Sequence, residues 1–305
     1  MKHTTITIFI LSIILILLLL MLTTLNKTEK FEKKIDLGDW SSPENEKLYQ
    51  DLFRDVDRTV VVSETFHKRD MSNYKGAIRL QVTGESYFDD PENFDINFIP
   101  VAEEKKNVII FPFASHYVLT NEVIDKNSLL VKRELTKNKS KFCLFASSHD
   151  GCKARNNFFS ELSKYKQVDS CGRYMNNMTC PGSFGSMDYL EFMNDYKFMI
   201  CFENHSQPNY FTEKLINAYC GGTIPIYWGC PNISNYVNMD AILYLEPHYT
   251  ENDFQQLFKK VVELDNNEEA YKAKYETVFF KNGVLPDAFN VEALRQKIND
   301  RLLNQ

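Results

Sequence analysis

This 305-residue chain lacks a surplus of basic charge: 35 Lys and Arg stand against 41 Asp and Glu, a formal net charge of −6. Nucleic-acid modules normally carry a basic face, so a general polyanion binder is excluded, although a local basic pocket for a small phosphate ligand is not. Seven cysteines occur without a single CxxC, and the six histidines form no cluster. A zinc site of the usual spacing therefore has little support. Asp89 and Asp90 are adjacent and read as turn residues rather than as a metal-binding Asp-x-Asp pair. Internal repeats and low-complexity tracts are absent. What remains is a globular composition, 44% hydrophobic, 13% aromatic and 25% charged, able to bury a sizeable core.

One long apolar run is present. Ile6–Leu25 reads ITIFILSIILILLLLMLTTL, with no charge, Pro or Gly. Twenty residues at helical rise span roughly 30 Å, the thickness of a bilayer core. A cleaved signal peptide would have a shorter apolar region and end at a small-residue site, and no Ala-x-Ala follows here. A single transmembrane anchor over 1–25 is expected, with a short polar stem over 26–45. Lys27, Lys30, Lys33 and Lys34 after the span outnumber Lys2 before it, so the positive-inside rule alone leaves the body in the cytoplasm. Cys152, Cys171 and Cys180 sit in polar, loop-like sequence and could pair, whereas Cys201 lies in an apolar run and reads as a buried thiol.

The body divides near the charged stretch Leu129–Lys139, into a first domain over 46–135 and a second over 136–305. Arg58–Phe66, Ala77–Glu85 and Asn107–Phe113 read as strands of the first, which is short for a complete domain. In the second, the apolar runs Lys141–Ser148, Lys197–Asn204, Thr223–Gly229 and Ala241–Glu246 read as buried strands. Between them, Phe158, Phe159, Leu162 and Tyr165 mark one helix face, Asp188 with Glu191 resembles a capping box, and Leu215, Ile216 and Tyr219 point inward from another helix. Alternating strands and helices imply a parallel sheet covered on both faces, with ligands at the carboxyl ends of its strands. The loops 147–156, 203–213 and 229–235 lie there and are polar.

The densest of these is FENHSQPNYFTEK, Phe202–Lys214. A strand runs into a polar loop and then into a helix starting near Thr212, whose free amides and dipole favour an anion. Lys214 adds a full charge in the first turn, and Glu213 could accept two hydroxyl hydrogen bonds. An ordinary Thr-capped surface helix would leave the same trace, and His205 reads as a solvated loop histidine. Tyr227 and Trp228 read as core beneath the site.

FENHSQPNYFTEK followed by LINAYCGGTIPIYWG resembles the signature of the α-1,3/α-1,4-fucosyltransferases, glycosyltransferase family 10. The resemblance continues upstream in FASSHDGCKARNNFFSEL and, more weakly, in TGES (Thr83–Ser86) and FDINF, covering about 80–260. It implies an α/β fold of GT-B type, two Rossmann-like domains with a shortened N-terminal one, behind a transmembrane helix. It implies inverting transfer of L-fucose from GDP-fucose to a glycan or glycoprotein acceptor at a hydroxyl such as O3 of GlcNAc, with no cofactor or metal and no nucleic-acid partner. Carried over, Asn204, Tyr210 and Glu213 are nucleotide contacts, Arg155 and Lys214 clamp the diphosphate, and Glu85 is the general base. Glu203, directly behind a buried strand, orders the loop instead. Family members with such an anchor are single-pass type II Golgi proteins with a lumenal body, against the lysine count. Phe211 replaces a smaller aliphatic residue. The sequon at Asn204 overlaps a nucleotide contact and is expected to stay unglycosylated. A transferase using another nucleotide sugar, or a glycan-binding protein on a lapsed transferase body, are the competing readings.

Overall fold

A computed structural model describes residues 35–303. The expected anchor and the first part of the stem lie outside the described residues. Among the described residues, no helix is long and apolar enough to cross a membrane.

Two five-stranded parallel sheets make up the body. The first contains β1 (Ile35–Asp36), β2 (Val60–Glu64), β3 (Ile78–Val82), β4 (Ile96–Ile99) and β5 (Val108–Ile110), in that spatial order. Every residue of β2 and β4 is buried, as expected of strands covered on both faces. The polar Asn97 of β4 is paired within the sheet, where Gln81 Nε2 of β3 donates to its Oδ1 at 2.7 Å. Part of the stretch read as stem is sheet and helix: β1 is the edge strand, and α1 (Pro43–Leu52) starts at a Ser42 cap with Pro in its first turn.

The first half is short because it borrows a helix. The final helix, α8 (Val291–Leu303), returns across the molecule, and its Leu294 and Ile298 are buried in one cluster with Leu48, Tyr49 and Leu52 of α1 and the strands of the first sheet. In exchange, α2 (Phe113–Thr120) places Ala114 and Val118 in the core of the second unit. A single cut near residue 135 therefore separates the strands of the two sheets but not their cores.

The second sheet has β6 (Lys141–Phe145), β7 (Val168–Ser170), β8 (Tyr196–Ile200), β9 (Ile224–Tyr227) and β10 (Leu243–Tyr244). Their order is β10-β9-β8-β6-β7. Helix α3 (Lys153–Tyr165) and α6 (Glu251–Asn266) lie over one core cluster, while α4 (Met187–Met193) and α5 (Glu213–Cys220) lie over the other. A short helix α7 (Glu268–Tyr275) completes the set. Ser186, not Asp188, caps α4, accepting from the Tyr189 amide at 3.3 Å. The helix starts two residues earlier than the Asp188–Glu191 pair suggests because Ser186 provides the cap. Cys171 and Cys180 form a disulfide, Cys152 is a buried free thiol, and Cys201 is buried as its apolar surroundings suggested.

Candidate active site

The second sheet reverses its strand order between β6 and β8. In open parallel sheets, that is where a crevice forms outside the carboxyl ends. A cavity of about 170 Å³ lies there, lined by the loop after β6, the loop after β8 and the first two turns of α5. Ser147, Arg155, Asn204, Glu213 and Lys214 all line it. Two of the three loops singled out from sequence therefore meet. The third, 229–235, supports one of them instead: Asn232 and Asn209 exchange hydrogen bonds at 2.8 Å.

Arg155 comes from α3. Its side chain is 2% exposed. Nη1 donates to Asn204 Oδ1 at 2.7 Å and Nη2 to the His149 carbonyl at 2.7 Å. The Nε has no partner, and among the described residues no carboxylate pairs with this guanidinium. Burial pulls its pKa down from the usual arginine value, but not far enough to discharge an arginine. A buried cation held only by neutral oxygens lies at the crevice.

Lys214 is arranged differently. Its Nζ contacts Glu203 Oε2 at 2.9 Å and Thr212 Oγ1 at 2.7 Å, with Glu213 Oε1 at 3.8 Å. Burial works to lower its pKa, but the two glutamates outweigh it and hold the amine protonated. Glu203, fully buried, also accepts from the Thr212 amide at 2.8 Å and the Thr212 hydroxyl at 2.9 Å. It thus fixes the entry of α5, which is the loop-ordering role the sequence suggested. A Cβ on Gly229 would lie 2.6 Å from Glu203 Cγ, and its φ of +150° disfavours any side chain. That glycine is part of the site, although its role was not legible in the sequence.

Glu85 follows β3, half-buried, with its amide on Thr83 Oγ1 at 3.0 Å. Tyr210, 1% exposed, donates its hydroxyl to Glu85 Oε2 at 3.3 Å. Tyr210 therefore reaches across to the first unit rather than lining the cavity. Further links fix the two halves: Tyr117 Oη donates to Asn217 Oδ1 at 2.6 Å, and Gln207 and Asn209 donate to the Pro100 and Val101 carbonyls at 2.5 Å each. His205 is exposed, Tyr227 is core, and Trp228 packs against Phe202. Phe211 is fully buried against Tyr236 and Phe289, so the bulkier side chain is accommodated. Asp55 and Asp57 carry the Asp-x-Asp spacing that Asp89 and Asp90 lack, but they precede β2, at the end of the sheet away from this edge.

The second unit is similar to known proteins. Residues 135–278 match the model "Glycosyltransferase family 10 (fucosyltransferase) C-term". This stretch, just under half of the chain, is similar to the C-terminal part of glycosyltransferase family 10. Arg155, Asn204, Tyr210, Glu213 and Lys214 fall within the matched stretch, and Glu85 lies before it. The alpha-(1,3)-fucosyltransferase of Helicobacter pylori is 36% identical over 100 residues, 33% of this chain and 20% of that protein. Alpha-(1,3)-fucosyltransferase B of Drosophila melanogaster is 33% identical over 140 residues, 42% of this chain and 30% of that protein. The human GDP-fucose protein O-fucosyltransferase 3 is 29% identical over 177 residues, 54% of this chain and 36% of that protein. The matches thus span well under half the length of these relatives. A crystal structure of an alpha1,3-fucosyltransferase superposes with a TM-score of 0.67 at 19% identity, covering 89% of this chain and 90% of that one. The shared fold is two parallel-sheet α/β units of GT-B type.

Proposed function

We propose that this chain transfers L-fucose from GDP-fucose, with inversion, to a glycan or glycoprotein hydroxyl such as O3 of GlcNAc. The observation that carries the reading is Arg155: a buried guanidinium without a carboxylate partner, at the switch-point crevice and beside a protonated Lys214. A buried cation without a counter-charge is costly unless an anion completes it. In the proposed reaction, Glu85 takes the proton from the acceptor hydroxyl, and that oxygen attacks the anomeric carbon. The bond from that carbon to the β-phosphate oxygen breaks, and GDP leaves with the added negative charge. Arg155 and Lys214 meet that charge, and cations already in place at a developing anion stabilise the transition state. Asn204 aims the guanidinium, Glu213 accepts from the ribose hydroxyls, and Tyr210 orients Glu85. No metal or cofactor is assigned a step.

Isothermal titration of the detergent-solubilised full chain with GDP-fucose and with GDP tests this. Lys214→Ala should weaken binding by about 1.5–3 kcal/mol, the range for a charge-assisted contact. A folded protein that binds neither ligand would overturn the proposal.

The same reading includes anchoring by Ile6–Leu25 and a lumenal, Golgi-facing body. Its support is the uninterrupted apolar run and an exposed sequon at Asn138. A glycosidase-sensitive mass shift is expected, and protease access to the body from the cytoplasmic side of intact cells would refute it.

A further inference from the structure

We infer that Phe184 and Tyr189 form the subsite that holds the flat heteroaromatic base of the nucleotide, an inference that rests on the proposed donor class. Both line the same cavity as Arg155 and Lys214. Phe184 is 52% exposed and belongs to no buried cluster of the described residues. Among the described residues its one ring partner is Tyr189, with centroids 5.2 Å apart and tilted.

An exposed phenylalanine on a loop usually lacks a fixed position, but this one is held. Gly172 lies so close to the loop after β6 that a Cβ there would stand 2.1 Å from the Ser147 carbonyl. The Cys171–Cys180 disulfide closes the loop behind it. On the other side of Phe184, a Cβ on Gly185 would stand 2.0 Å from the Tyr117 hydroxyl, and Asn121 donates to the Gly185 carbonyl at 3.4 Å. Ser186 then caps α4. An aromatic face already fixed beside a cavity loses little freedom when a ring stacks on it. Every nucleobase has such a face, so Phe184 supplies affinity without selectivity.

Tyr189 supplies the second observation. It is 1% exposed, and its hydroxyl has no hydrogen-bond partner. A buried hydroxyl left unpaired is unfavourable, and a polar edge brought by a ligand would satisfy it. Stacking on Phe184 with a hydrogen bond to Tyr189 positions a purine or pyrimidine edge beside the phosphate-binding cations. In this arrangement Phe184 determines how tightly the nucleotide binds, and Tyr189 contributes to which base is accepted.

The test compares GDP with inorganic pyrophosphate, which lacks the base, by titration into the full chain. Phe184→Ala should weaken GDP about tenfold, the scale of one lost stack, and leave pyrophosphate unchanged. Phe184→Trp should retain GDP binding and report it by fluorescence quenching. Tyr189→Phe should weaken GDP about three- to tenfold without lowering Tm, since it removes only an unpaired hydroxyl. Equal losses for GDP and pyrophosphate in Phe184→Ala would mean that the ring only supports the loop, and would overturn the inference. So would GDP binding unchanged in both variants, with the donor reading intact. A wild-type chain that binds neither ligand would sink both together.

Discussion

The two sheets have the same strand count and the same parallel pairing, yet among the described residues only the second carries a buried guanidinium, Arg155, beside a partly buried ammonium, Lys214, at its strand ends. The difference follows from strand order. In the first sheet the strands lie in chain order, so no crevice opens between diverging loops. In the second, β7 and β8 flank β6, and the loops after β6 and β8 part around the cavity that holds Arg155 and Lys214. The first sheet offers a carboxylate at its edge, Glu85, within reach of Tyr210 from the other side. Cations on one unit and a carboxylate on the other suit the proposed reaction, in which negative charge develops on one partner as a proton leaves the other.

Two substitutions separate those roles. Glu85→Gln keeps the size and a hydrogen-bond partner for Tyr210 but cannot take a proton. Turnover should fall by about 10²–10⁴-fold, the usual contribution of a general base, with GDP affinity unchanged by titration. A loss of GDP affinity instead would move Glu85 to the donor side and remove the contrast between the units. Arg155→Lys keeps the charge but not the planar fork, and leaves the Asn204 and His149 oxygens poorly filled. Turnover should fall about 10²–10³-fold and GDP should bind more weakly. Full activity in this variant would show that the unpaired guanidinium serves packing alone.

The second unit was the more legible of the two in sequence. Its strands were apolar runs bounded by polar loops, and Phe202–Lys214 placed charge at a helix entry, so β6, β8, β9, α3 and α5 were found. The first unit was harder to read. β4 has a polar Asn97 that is satisfied by residues distant in sequence, Gln81 across the sheet and the Pro91 and Asn107 carbonyls, and α2 is apolar on most of its faces because it sits between the units. The dependence of the first core on α8 could not be read at all, since no local pattern links Leu294 and Ile298 to Leu48. Within the site, the charged side chains were legible by type. Their pairing was not: nothing in the order of residues says that Lys214 meets Glu203 whereas Arg155 meets no carboxylate.

Glu203→Gln tests that asymmetry. It leaves Lys214 without its buried partner and weakens the hold on Thr212 at the start of α5. Stability should drop by about 2–4 kcal/mol, since breaking one side of a buried pair exposes the desolvation cost of the other. Chemical denaturation would show it, and saturating GDP should recover part of the loss by giving Lys214 an anion. If GDP gives this variant no more protection than wild type, Lys214 does not face the donor, and Arg155 would be the sole cation of the pair that does.

The smallest effect concerns acid stability, where the two sheets should behave alike in sign and differ in size. In the first sheet, burial pushes the Asp95 carboxyl up, but Arg79 donates from its amide at 2.8 Å and from its guanidinium at 2.9 and 3.0 Å, and the net pKa is lowered. In the second, burial likewise pushes Asp265 up. Lys166, Lys197 at 2.9 Å and Tyr165 at 2.9 Å outweigh it and hold it low. Both carboxylates have folded values below the unfolded one of about 3.9. Their stabilisation is therefore complete above that value and is lost as pH falls through the folded pKa. Asp265 links the end of α6 to α3 and β8, three elements, whereas Asp95 joins two neighbouring strands. At neutral pH, Asp265→Asn should lower Tm by roughly 2–4 °C, more than Asp95→Asn does. Each variant should also lose less stability than wild type between pH 5 and about pH 2. Thermal melts across that range decide the matter. A wild-type acid dependence retained in both variants would mean that other carboxylates set the acid limit, and that these two anchors act only through packing.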